Sequence, residues 1–106
     1  MRQELAKGHL DLLLLGVLEA GPSHGYGVIE KVRDRSSETF DLPEGSVYPA
    51  LHRLERQGFL RSQWEQGARR RRTYRLTRRG RAELARQRGE WKSFSRAVRS
   101  VAAPVS

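Results

Sequence analysis

The densest run of one chemistry in the chain is Arg69-Arg70-Arg71-Arg72, four guanidinium groups that follow a turn-capable Gly67. Consecutive cations beside a turn suit contact with phosphates, and each phosphate neutralised steepens a log–log salt dependence by about 0.9. Strand alternation lets only some of the four face one partner, and Arg70 and Arg71, at the tip, are the pair expected to touch it. Other reactive residue types are present without the spacing that catalysis needs. His9, His24 and His52 form no metal-ligand spacing, and the complete absence of cysteine removes thiolate zinc sites, disulfides and a cysteine nucleophile together. No glycine-rich phosphate loop, nucleophile elbow or HExxH pattern occurs, and Ser23-His24 with Asp11 is a coincidence of composition. Neither an enzyme nor a bound cofactor or metal is expected.

The 106 residues suit one domain, and a hydrophobic fraction of 37% is low enough for a partner chain to be expected to complete the core. The charge is divided unevenly. Residues 1–53 hold 6 basic and 8 acidic side chains, whereas residues 54–106 hold 15 and 4, which gives the chain its formal charge of +9. One sharply basic half points to a polyanionic partner. The apolar run Leu10 to Leu18 is too short to cross a bilayer and contains Asp11. No membrane association and a cytoplasmic location are therefore expected.

The pattern of apolar residues supplies the elements that must carry these charges. Leu10, Leu13, Leu14, Val17 and Leu18 fall on one helical face, and Gly21-Pro22 ends that helix. Ser23 is expected to cap a second helix, His24 to Ser36, with Tyr26, Ile29 and Val32 inward. Gly25 and Gly27 weaken that helix by about 1 kcal/mol each relative to Ala, which suggests a close-packed neighbouring helix. Leu42-Pro43-Glu44 reads as the start of a third helix running to about Gln57, with Val47, Leu51 and Leu54 inside and Gly58 as its C-cap. Pro49 implies either a later start near Ser46 or a slight bend. Phe59–Glu65 and Arg72–Thr77 alternate around the turn and predict a two-stranded hairpin. Thr77 then caps a last helix on which Leu84, Gln87, Trp91, Phe94, Val98 and Val101 recur at intervals of 3, 4, 3, 4 and 3, a heptad stripe.

Three helices, a basic hairpin and a long helix describe a mainly α protein with a small β-hairpin: a winged helix-turn-helix at residues 1–77 and a C-terminal dimerisation helix at 78–104. Such a module places its third helix in the DNA major groove and its hairpin on phosphates or the adjacent minor groove.

Several segments resemble the PadR family of transcriptional regulators, over about residues 5–101. They are Lys7 to Leu15, Gly21-Pro22-Ser23-His24-Gly25-Tyr26-Gly27, Gly67 through Arg72 to Thr77, closing with Gly80, and above all Glu44-Gly45-Ser46-Val47-Tyr48-Pro49-Ala50-Leu51-His52-Arg53-Leu54-Glu55. The short arm matches the smaller subfamily without a separate effector domain. The resemblance implies that Ser46 and Tyr48, in the first turns of the third helix, approach DNA; Arg53, one to two turns on, is placed to reach a phosphate or a guanine. Leu84, Trp91, Phe94 and Val98 are expected at a homodimer interface. The family further implies that Trp91 and Phe94 can line a cavity for a small flat aromatic ligand. The expectation is thus a homodimeric repressor on a pseudo-palindromic operator in double-stranded DNA. A different class, a basic winged-helix module that binds RNA or serves as an assembly adaptor, fits the same fold.

Overall fold

The computed structural model describes residues 8–67 and 71–105. In chain order the elements are α1 (Leu10–Leu18), β1 (Ser23–His24), α2 (Gly25–Arg35), α3 (Glu44–Arg56), β2 (Leu60–Trp64), β3 (Arg72–Leu76) and α4 (Arg78–Ala102). The architecture is the mainly helical winged helix-turn-helix that the sequence implies, ending in a long helix. Its longest dimension, 60 Å against 28 and 20 Å, reflects that helix.

The core is one cluster. Leu14, Leu15 and Leu18 of α1 meet Val28, Ile29 and Val32 of α2, Val47, Leu51 and Leu54 of α3, and Leu60, Tyr74 and Leu76 of the sheet. Leu84 of α4 joins the same cluster at 1% exposure. This corrects its expected place at a dimer interface: a side chain already enclosed within its own chain has no surface left for a second.

Three local expectations change for identifiable reasons. The wing has three strands in the order β1-β3-β2, not two, because Ser23 and His24 pair antiparallel with Tyr74 and Thr73. Ser23 is thereby committed to the sheet, and the cap of α2 passes to His24, whose Nδ1 accepts from the Gly27 amide at 3.0 Å. Tyr26 lies outward and is 53% exposed, since starting α2 at Gly25 turns Val28, Ile29 and Val32 to the core instead. The two glycines also meet side chains and not a helix backbone. A Cβ on Gly25 would overlap the Tyr48 ring, and one on Gly27 would lie 2.6 Å from Ser23 Oγ.

Helix α3 begins at Glu44 with Pro43 as N-cap and carries Pro49 inside it. Pro49 has no amide to give the Gly45 carbonyl, which water can satisfy because Gly45 is exposed. The far end closes in a Schellman arrangement: Gly58 at φ +86°, its amide on Glu55 O at 3.0 Å, and the Phe59 amide on Leu54 O at 3.0 Å. Thr77 caps α4 by accepting from the Gly80 amide at 3.0 Å and donates its own hydroxyl to Gly58 O at 2.6 Å. One threonine therefore ties the ends of α3, β3 and α4 together.

Candidate nucleic-acid interface

The outward face of α3 is aimed by contacts on both flanks. Glu55 accepts from the Ser62 amide at 3.1 Å and its hydroxyl at 2.5 Å, which fixes the helix against β2. On the opposite flank Arg53 donates to both Asp11 oxygens, at 3.1 and 2.5 Å, and to Gln57 Oε1 at 3.2 Å. The Asp11 bond is the main cause of a guanidinium pKa held above its ordinary value.

That pairing relocates Arg53. It is drawn to α1 and lines the cavity that holds Trp91 and Phe94, not the groove beside the wing. The guanidinium expected at a phosphate or guanine is thus engaged in an interhelix ion pair in the folded chain, with its side chain 40% exposed. Asp11, on the first helix and 42 residues away in sequence, was the competitor that spacing on α3 alone could not reveal.

Between α3 and the wing lies a groove of about 680 Å³. Tyr48 and His52 reach it from α3, His24, Gly25 and Tyr26 from the start of α2, and Trp64, Arg71, Arg72 and Tyr74 from the wing. Tyr48 is half-buried and its ring fills the space that the missing Gly25 Cβ leaves. Its ring packs against the start of α2 while also lining the opening of the groove. Ser46, one turn earlier than Pro49, is exposed.

Cations crowd the wing side of the groove. The Arg72 guanidinium stands 5.0 Å from the Trp64 ring centroid, a cation–π geometry. Arg72 Nε is buried with no hydrogen-bond partner among the described residues. Burial holds the Tyr74 phenol above its ordinary pKa, an effect partly opposed by a hydrogen bond from Arg72. Arg71, immediately before β3, pairs with Glu65 at 3.4 Å and also meets His24 Nε2 at 3.1 Å. Arg70, the other expected wing contact, lies outside the described residues. His24 and Trp64 line the groove without a role there having been expected from sequence, and Arg72 of the arginine run joins it although Arg70 and Arg71 are the expected pair. Only their types, two of them next to Gly25 or in the arginine run, could have suggested them.

A second basic concentration sits on the other face of the sheet. Arg61 lies directly opposite Arg75 in the β2–β3 register, and with Arg78 and Arg81 they surround a cavity of about 310 Å³.

The remaining candidates belong to α4. Trp91, Phe94 and Val98 are 44%, 59% and 45% exposed, and Val101 is 88% exposed. Together they form an apolar stripe that the single chain leaves open. Trp91 and Phe94 lie 6.1 Å apart between ring centroids, and the His9 ring meets Trp91 edge-on at 5.0 Å. The adjoining cavity measures about 1090 Å³ and is bounded by α1 and Arg53. Glu19 and Arg88, paired at 2.6 Å, clamp the middle of α4 to the end of α1. Among the described residues no His, Asp and Glu cluster could hold a metal ion, and no helix is long and apolar enough to cross a membrane.

Comparison with known proteins gives the same architecture. The sequence profile of the transcriptional regulator PadR-like family matches residues 14–86. The chain is similar to a transcriptional regulator of Clostridium thermocellum, with 26% identity, 93% of this chain and 98% of that one covered, and a TM-score of 0.88. A PadR family regulator of Eggerthella lenta is 29% identical, with 96% and 88% covered and a TM-score of 0.85. One from Clostridium difficile is 30% identical, with 88% and 97% covered and a TM-score of 0.78.

Proposed function

The chain belongs to the PadR-like family of transcriptional regulators, and from that premise we propose that it acts as a homodimeric, cytoplasmic repressor of a pseudo-palindromic operator. Family membership makes it a DNA-binding regulator and not an enzyme. The observation that carries the finer reading is the groove in which Tyr48 of the recognition helix faces Arg71 and Arg72 of the wing. A duplex engaged by α3 in its major groove brings a phosphate strand toward the wing, where guanidinium groups are the fitting partners. Ser46 and Tyr48 read or orient the duplex, and Arg70 and Arg71 hold its phosphates.

The stripe of Trp91, Phe94 and Val98 supports the dimer. Large aromatics dominate buried interfaces, and three side chains in heptad register left about half exposed suit a matching helix. In this reading residues 1–77 bind DNA, residues 78–104 pair the protomers, and two recognition helices stand about 34 Å apart. A flat aromatic molecule seated against Trp91 and Phe94 releases the operator by favouring a different spacing of the two protomers.

Retardation of a duplex that carries the inverted repeat from the gene's own promoter tests the reading. The protein should prefer it to bulk DNA by roughly 10³ or more, and Tyr48→Ala should abolish that preference. Equal affinity for promoter, bulk DNA and RNA would instead identify a general polyanion binder. In sedimentation the wild-type protein should be a dimer, and Trp91→Ala combined with Val98→Asp should run as a monomer. A double variant that remains dimeric refutes the interface.

A further inference from the structure

His24 has two ring nitrogens, and each faces a donor. The Gly27 amide points at Nδ1 from 3.0 Å. Arg71 Nη1, which can only donate, stands 3.1 Å from Nε2. A neutral imidazole has one accepting nitrogen, so no tautomer serves both neighbours. With the proton on Nε2 the cap of α2 is made, and an N–H then faces the guanidinium. With the proton on Nδ1 the cap is lost. The imidazolium satisfies neither. No protonation state removes the conflict: each neutral tautomer leaves one donor facing another, and the imidazolium leaves two.

Both partners are held in place from outside. Arg71 is anchored through Nε by Glu65 at 3.4 Å, whose other oxygen accepts from the Thr73 hydroxyl at 2.8 Å. His24 is anchored by its cap and by strand pairing with Thr73. Two donors 3.1 Å apart therefore come from different elements, one from the head of α2 and one from the wing. What they lack is a shared acceptor. Arg72, next along the wing, shows the same shortage through its buried and unpartnered Nε.

We propose that the His24 Nε2–H and the Arg71 guanidinium form a seat for one phosphate oxygen of the DNA strand that crosses between recognition helix and wing. A phosphate oxygen accepts both hydrogen bonds at once and neutralises the Arg71 charge that Glu65 leaves exposed on the groove side. The helix amide is not part of the seat, being already used by Nδ1. This inference rests on the DNA-binding reading above and adds to it a residue, His24, that touches backbone and reads no base.

A phosphate seat is independent of sequence, so the probe is a random-sequence duplex titrated by fluorescence anisotropy between 50 and 200 mM salt. His24→Asn keeps a capping oxygen for α2 but is too short to reach the seat. It should melt like the wild type, bind roughly tenfold more weakly, and keep the wild-type salt slope. Arg71→Gln should lower the slope by about 0.9. The double variant should lose little more affinity than Arg71→Gln alone, because both side chains hold one phosphate. His24→Asp, also a competent cap, should bind more weakly than His24→Asn by placing a carboxylate at the seat. Wild-type affinity in His24→Asn, equal affinity of the Asn and Asp variants, or additive losses in the double variant would each overturn the seat while leaving the DNA-binding reading intact. Failure of the wild-type protein to bind the duplex with any salt dependence would overturn that reading, and the seat with it.

Discussion

Replacing Gly80 by alanine separates helix propensity from tertiary fit, because the two predict opposite signs. Gly80 is the third residue of the 25-residue α4, where alanine is favoured by about 1 kcal/mol on propensity alone. In the folded chain its α-carbon lies against the backbone of Phe59. An added Cβ would overlap the Phe59 carbonyl oxygen and lie 3.2 Å from Leu76 Cδ2. A backbone carbonyl cannot rotate aside like a side chain, so the start of α4 must move. Three hydrogen bonds meet at that point: the Thr77 amide to Phe59 O at 3.1 Å, the Thr77 hydroxyl to Gly58 O at 2.6 Å, and the Gly80 amide to Thr77 Oγ1 at 3.0 Å. Each is worth about 1 kcal/mol, so their loss outweighs the propensity gain by about 2 kcal/mol. For a chain of this size that corresponds to a fall in Tm of about 10 °C. Thermal melting followed by circular dichroism at fixed protein concentration measures it. An unchanged or higher Tm would refute the claim that close approach, and not helix formation, dictates the residue here.

Three further outcomes follow from the geometry. Gly25→Ala should leave Tm nearly unchanged, since the clashing Tyr48 atoms are the far end of a movable side chain, yet weaken duplex binding several-fold in an anisotropy titration by displacing that ring; unaltered binding would remove Tyr48 from the interface. Arg53→Gln should keep the wild-type salt slope on random-sequence DNA, because Asp11 holds the guanidinium on the α1 side, whereas a slope reduced by about 0.9 would return Arg53 to the phosphates. Glu83 is held at a pKa of about 2, from an ordinary 4.5, first by its hydrogen bond from Arg86 and then by that from Gln87. A depressed carboxylate pKa stabilises the fold above pH 4.5 and ceases to do so as pH falls toward 2. Arg86 is mostly solvated, so this pair contributes little. Melting between pH 6 and 2 should show Glu83→Gln losing slightly less Tm than the wild type, and a larger loss in the variant would reverse the assigned sign.

The elements were largely legible in the residues. The α3 start at Leu42-Pro43-Glu44, the Gly58 terminus and the Thr77 cap are local events, each decided within about four residues by backbone geometry and a single side-chain oxygen. The third strand was not legible, because a two-residue segment such as Ser23-His24 has no periodicity. Its strand character comes only from pairing with Tyr74 and Thr73, some fifty residues on. The cap of α2 moved for the same reason, Ser23 being claimed by the sheet before it could serve the helix.

Sequence by itself determined the charge division, the helical periods, the heptad stripe of Trp91, Phe94 and Val98, and the motif around Tyr48 that marks the family. All are properties of neighbours along the chain. Tertiary structure decided which of these residues are free to act. Arg53 and Arg71 are the same residue type, yet Asp11 draws one to α1 while the other faces His24 in the groove. Leu84 and Trp91 sit seven residues apart on one stripe, yet the core cluster encloses the first and stops short of the second. Periodicity fixes the direction in which a side chain points. Whether another part of the chain already stands there depends on contacts between residues distant in sequence, and those exist only after folding.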